Sequence, residues 1–68
     1  MERKTYNIAV KKEGNQLWCT CHQEPGVYGF YMNEGEASVD LRYQIKHEIM
    51  FKEGRFPEEE IELYFEYE

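Results

Sequence analysis

The sequence predicts an α+β fold in two layers: an antiparallel sheet, in the order β-β-β-α-β, with one helix packed on one of its faces. Three observations predict it. The chain alternates apolar and polar residues in short runs before Met32 and again after Pro57. Between those runs, apolar residues recur at helical spacing. Gly, Pro and Asn stand at the joints, where the backbone must turn. At 68 residues the chain allows one small domain, 1–68.

Thr5 to Lys11 places Tyr6, Ile8 and Val10 on one face and Asn7, Ala9 and Lys11 on the other, which is the pattern of a half-buried strand. Lys12-Glu13-Gly14-Asn15 is turn chemistry, with Gly14 and Asn15 both able to take positive φ. Gln16 to His22 forms the second arm of a hairpin. Matching apolar faces puts Leu17, Cys19 and Cys21 inside and Trp18 on the outer face. Glu24-Pro25-Gly26 predicts a type II turn, with Pro at i+1 and Gly at i+2. Val27 to Met32 is a third strand carrying Tyr28, Phe30 and Tyr31, with Gly29 as a bulge or close-approach point.

The helix is the clearest element. Asn33 can cap its first free N–H groups, Glu36 stands at the capping-box position, and Glu34 and Glu36 suit the positive end of the dipole. Ala37, Leu41, Ile45 and Ile49 make one apolar stripe, and Gly54 followed by Pro57 ends the pattern. Val39, Tyr43, Lys46 and Met50 fall roughly opposite that stripe. A helix lying on one sheet leaves this second face to a partner, to self-association, or to ordinary exposure. The tail returns to a period of two. Ile61, Leu63, Phe65 and Tyr67 form a core face, and Glu60, Glu62, Tyr64, Glu66 and Glu68 an acidic one. Charge on an edge strand blocks aggregation, and the same row offers a docking strip to a basic protein.

Composition narrows the function classes. The net charge of −6 argues against direct binding of nucleic acid, which needs clustered Lys and Arg. No apolar run approaches a membrane span, and Met1-Glu2-Arg3-Lys4 lacks the apolar core of a signal peptide. The two cysteines are therefore expected to be reduced thiols in a cytoplasmic protein. Cys19 and Cys21 lie about 6.5–7 Å apart along one strand face, too far apart for a disulfide in that geometry. Their spacing is tighter than structural zinc sites use, and His22 and His47 are poorly placed to complete a site. No metal and no cofactor is expected. Catalysis needs a nucleophile beside an oriented base, and the single serine, Ser38, sits in the first turns of the helix with only Glu34 near it. No enzyme class is indicated, and no catalytic residue is assigned.

The Pro25-Gly26 turn, the helix cap Asn33 eight residues after Pro25, and the Glu36-Ala37 pair ending twelve residues after it follow the pattern of the HicB-like antitoxin family, which residues 5 to 52 resemble. Tyr31-Met32 stands where that family usually has a small Gly-Asp or Gly-Ser pair. Many members continue into a DNA-binding helix-turn-helix or ribbon-helix-helix, whereas this sequence stops at the acidic strand. The resemblance implies a non-catalytic protein that oligomerises and masks a small, basic, RNA-cleaving toxin. Stand-alone HicB-like domains without a toxin partner also exist.

Three function classes remain. The first is a HicB-like interaction module, expected to form a homodimer or to bind a basic protein, using Val39, Tyr43, Lys46 and Met50 and the outer face around Trp18. The second is an acidic viral or mobile-element inhibitor that imitates nucleic-acid charge to block a host nuclease or CRISPR effector. It would use Glu58, Glu59, Glu60, Glu62, Glu66 and Glu68. The third is a small metal-binding protein built on Cys19, Cys21 and a histidine.

Overall fold

The computed structural model describes residues 2–68 as a four-stranded sheet covered on one face by a single helix. The elements are β1 (Arg3–Glu13), β2 (Gln16–Cys21), β3 (Tyr28–Tyr31), α1 (Glu34–Glu53) and β4 (Glu60–Tyr67). The spatial order is β3-β2-β1-β4. β1 is the long central strand and pairs with β2 on one side and β4 on the other.

The β-β-β-α-β order is the expected one, but the sheet is mixed and not antiparallel throughout. β1, β2 and β3 alternate in direction, while β4 runs parallel to β1, from Arg3 opposite Glu60 to Val10 opposite Tyr67. The helix is the reason. Its 20 residues cover about 30 Å, enough to return the chain along the stretch of β1 from Val10 to Arg3, so β4 must start at the same end as β1.

The first hairpin closes with φ of 64° at Gly14, while Asn15 keeps a negative φ. That is the sign pattern of a type II′ turn, which matches strand twist. The second turn departs from expectation. Val27 N–H donates to Glu24 C=O at 2.9 Å, so the turn exists, yet Gly26 has no positive φ and the turn is not type II. The Asn7 backbone fixes this corner instead. Its carbonyl accepts from His22 N–H at 2.9 Å, and its N–H donates to Gln23 Oε1 at 2.9 Å.

Both helix ends are capped, but the reciprocal capping-box bond from Asn33 N–H to the Glu36 carboxylate is not formed. Asn33 Oδ1 accepts from Glu36 N–H at 2.8 Å, and Gly54 adopts the left-handed conformation with its N–H donating to Met50 C=O at 3.0 Å. The core lies between helix and sheet. Ala37, Leu41, Ile45 and Ile49 pack against Tyr6, Ile8, Val10, Leu17, Cys19, Cys21, Val27, Tyr31 and Ile61, with Leu63 and Phe65 half-buried beside them. Tyr67 shares their strand face but stays 52% exposed, and its hydroxyl donates to Glu34 Oε2 at 2.5 Å.

The flank of α1 also ties down both sheet edges. Gln44 Nε2 donates to Tyr28 C=O at 3.0 Å and its Oε1 accepts from Tyr28 N–H at 3.3 Å, as a neighbouring strand would. On the opposite edge, Arg42 Nε donates to Ile61 C=O at 3.1 Å. No described helix is long and apolar enough to cross a membrane.

Candidate interaction surface

The second face of α1 is open to solvent. Val39 is 72% exposed, Tyr43 61% and Met50 42%, with Lys46 half-buried among them. Residues spaced by four, three and four form one continuous stripe on a helix, about 17 Å long from first to last. His47 widens it by packing against Tyr43, their rings tilted and their centroids 4.4 Å apart. Phe51, one turn beyond His47, is 90% exposed. The sequence pattern singled out Val39, Tyr43, Lys46 and Met50. It missed Phe51, whose place four residues after His47 was the available signal.

Trp18 lies on the sheet face away from the helix, as the alternation of β2 requires, and is half-buried there. Its cover comes from β3. The Phe30 ring lies 4.6 Å away by centroid and the Tyr28 ring 5.7 Å, both tilted. Phe30 is the direct cross-strand partner of Trp18, and such pairs support the sheet itself. Tyr28 and Phe30, two residues apart on the same strand, join Trp18 in one exposed aromatic group.

The carboxylates of β4 are unequally free. Arg3 pairs with Glu62 at 3.1 Å and approaches Glu60 at 3.9 Å. Glu66 accepts from Asn7 Nδ2 at 3.1 Å, a neutral donor that leaves its charge uncompensated. Glu59 belongs to another group: Arg55 Nη1 and Nη2 donate to its two oxygens at 2.9 Å each. Those bonds hold the Glu59 carboxyl down at about 2. Arg55 also lines an open depression of about 480 Å³ with Glu2, Glu58 and Glu59, but its guanidinium is already engaged there.

Cys19 and Cys21 are buried on the core face and form no disulfide. Burial pushes both thiols above their ordinary range, which lowers the fraction present as the reactive thiolate. Among the described residues, no group of three His, Cys, Asp or Glu side chains converges on a point where a metal could sit. The tightest polar cluster is structural. Tyr31 Oη donates to Asp40, and Gln44 Nε2 donates to Asp40 Oδ2 at 2.8 Å and lies 3.1 Å from Tyr31 Oη. Burial first, and the Asp40 carboxylate next, push the Tyr31 hydroxyl far above its ordinary range.

Comparison of the chain with protein-family models, with curated proteins and with solved structures finds no match.

Proposed function

We propose that this chain is a non-catalytic protein-interaction module of the HicB-like kind, which dimerises through α1 and binds a basic protein. The observation that carries the reading is the solvent-facing stripe of Val39, Tyr43, Lys46 and Met50. Its spacing is the same read in either direction. Two copies of α1 crossing antiparallel about a two-fold axis set Val39 against Met50 and Tyr43 against Lys46. The second pair brings an ammonium to an aromatic ring, and the contact is self-complementary, as a two-fold interface must be. One helix stripe is smaller than a stable interface of about 800 Å² per partner, so the dimer forms in a concentration-dependent way. The net charge of −6 selects a basic protein as the further partner, and a small RNA-cleaving toxin is the one the family resemblance suggests.

Light scattering across a concentration series, on the wild type and on Tyr43→Glu, tests the dimer. A wild-type mass that rises with concentration, with a constant monomer mass in the variant, supports it. A monomer in both removes α1 as the dimer surface. The acidic decoy is the second reading, favoured by the uncompensated Glu66 and by the exposed Glu58 and Glu68. A decoy loses its nuclease steeply as salt rises, whereas a contact with an apolar core holds.

A further inference from the structure

The two edges of the sheet are finished differently. On β3, Gln44 occupies both backbone groups of Tyr28, which leaves Phe30 as the remaining outward position of a four-residue strand. On β4, Glu60 N–H donates to Glu2 C=O and Glu68 N–H to Val10 C=O, each at 2.9 Å. The even-numbered residues thus face β1, and the odd-numbered backbone groups face outward. Arg42 takes the carbonyl of Ile61. The N–H and C=O groups of Leu63, Phe65 and Tyr67 have no partner among the described residues. The side chains of Leu63 and Phe65 are also only half covered by the helix, so the core layer stops short at this edge.

We infer that the open edge of β4, from Leu63 to Tyr67, accepts an extended segment of a basic protein as a fifth strand. The alternation of β4 sets the chemistry of that segment. Residues on its inner face lie beside Leu63 and Phe65 and must be apolar. Those on its outer face lie beside Glu66 and Glu68 and must be Lys or Arg. A second copy of β4 does not fit. In every two-fold antiparallel register centred on residues 63 to 66, two glutamates stand directly opposite each other, as Glu62 and Glu66 do about Tyr64 and two copies of Glu66 do about Glu66 itself. Like charges in that position destabilise pairing. The edge thus rejects its own kind and favours an alternating basic strand. This inference rests on the proposed function only in taking the partner to be basic, and it uses a surface separate from the α1 stripe.

The test is amide hydrogen exchange by NMR on the full chain, in the wild type and in Tyr43→Glu, so that loss of the helix contact and loss of the edge contact are read separately. The probe is a short end-capped peptide alternating lysine and valine. The control is a peptide of the same composition with its lysines and valines in two blocks. The alternating peptide is expected to slow exchange at Leu63, Phe65 and Tyr67 by about tenfold or more at saturation, while Glu62, Tyr64 and Glu66, already bonded to β1, change little. Glu66→Lys with Glu68→Lys is expected to weaken binding by about tenfold and to transfer it to a glutamate–valine peptide. Binding without protection of the odd-numbered amides would overturn the inference, since it would be charge adsorption alone. So would equal protection by the block peptide. Protection that appears with rising protein concentration and no peptide would place a second copy at the edge, against the proposal.

Discussion

Gly29→Ala tests how the inner face of β3 is built. Gly29 does not have a positive φ, so the glycine is there for space and not for backbone freedom. A Cβ at this position would lie 2.7 Å from Cζ and 3.0 Å from Cε2 of Tyr31 and would press on its hydroxyl. That ring cannot swing aside freely. It is buried, and its hydroxyl is bonded to Asp40 and Gln44. Either the ring stays and the site is overpacked, at about 1–3 kcal/mol, or it moves and loses a bond to a carboxylate, at about 1.5–3 kcal/mol. The expected cost is therefore about 2–3 kcal/mol, out of a total of roughly 3–10 kcal/mol for a chain of this length. With a urea slope near 1 kcal/mol/M, the midpoint followed by Trp18 fluorescence should fall by about 2–3 M.

A series at Tyr31 isolates the cause. Tyr31→Phe removes the hydroxyl but keeps Cζ, so adding Gly29→Ala to it should still destabilise. Tyr31→Leu removes the three atoms nearest the new Cβ, and there the same change should cost less than about 0.5 kcal/mol, because alanine suits a strand better than glycine. A Gly29→Ala cost below about 0.5 kcal/mol in the wild type would refute the reasoning. An undiminished cost in the Tyr31→Leu background would refute it equally.

Other consequences can be measured directly. Asn33→Ala removes the bond to Glu36 N–H and should cost about 1 kcal/mol in a thermal melt, while Asn33→Asp, which keeps an acceptor, should cost much less. Ile45→Ala opens a cavity under a fully buried side chain and should cost about 2–5 kcal/mol, enough to unfold much of the population at room temperature. Both thiols should react with a disulfide reagent far more slowly in the native protein than in denaturant, and equal rates would contradict their burial. In an alkaline absorbance titration, Tyr31 and Tyr67 should ionise above the ordinary tyrosine range. Burial and Asp40 raise the first, and the bond to Glu34 raises the second. Because both are raised in the folded state, their stabilisation is fully present below the ordinary tyrosine value near 10 and is lost as the pH rises beyond it.

The elements visible in the sequence were those whose signal is local. Asn33, Gly54 and the four-residue spacing of Ala37, Leu41, Ile45 and Ile49 each state a backbone or burial requirement within a few residues, and α1 is found where they place it. The direction of β4 is not local. It follows from the length of α1 compared with the strands, a relation between distant segments that periodicity does not encode. The Pro25-Gly26 turn misled because Pro followed by Gly fits more than one turn, and the choice was made by Asn7 and Gln23, which hold the far side of the corner. Arg42 and Gln44 read as ordinary polar helix residues. Their work on the sheet edges becomes visible only once β3 and β4 are known to be those edges.

The same geometry bears on which surfaces are free to bind. α1 carries three sets of residues: the buried stripe of Ala37, Leu41, Ile45 and Ile49, a flank of Asp40, Arg42 and Gln44 engaged with the sheet, and the outer stripe of Val39, Tyr43, Lys46 and Met50. The first two sets satisfy the fold. Exposed apolar side chains on the third add nothing to the core, and in a chain of net charge −6 they cost solubility that shorter polar residues would not. The same holds for the β4 edge, where one more helix side chain like Gln44 would have closed Leu63 as Tyr28 is closed. Two surfaces left unfinished on a domain whose other edge is closed at Tyr28 are more simply explained by partners than by incomplete packing. The outer stripe faces away from the sheet and the β4 edge faces sideways from it, so the proposed dimer through α1 would leave each β4 edge open to the proposed basic strand.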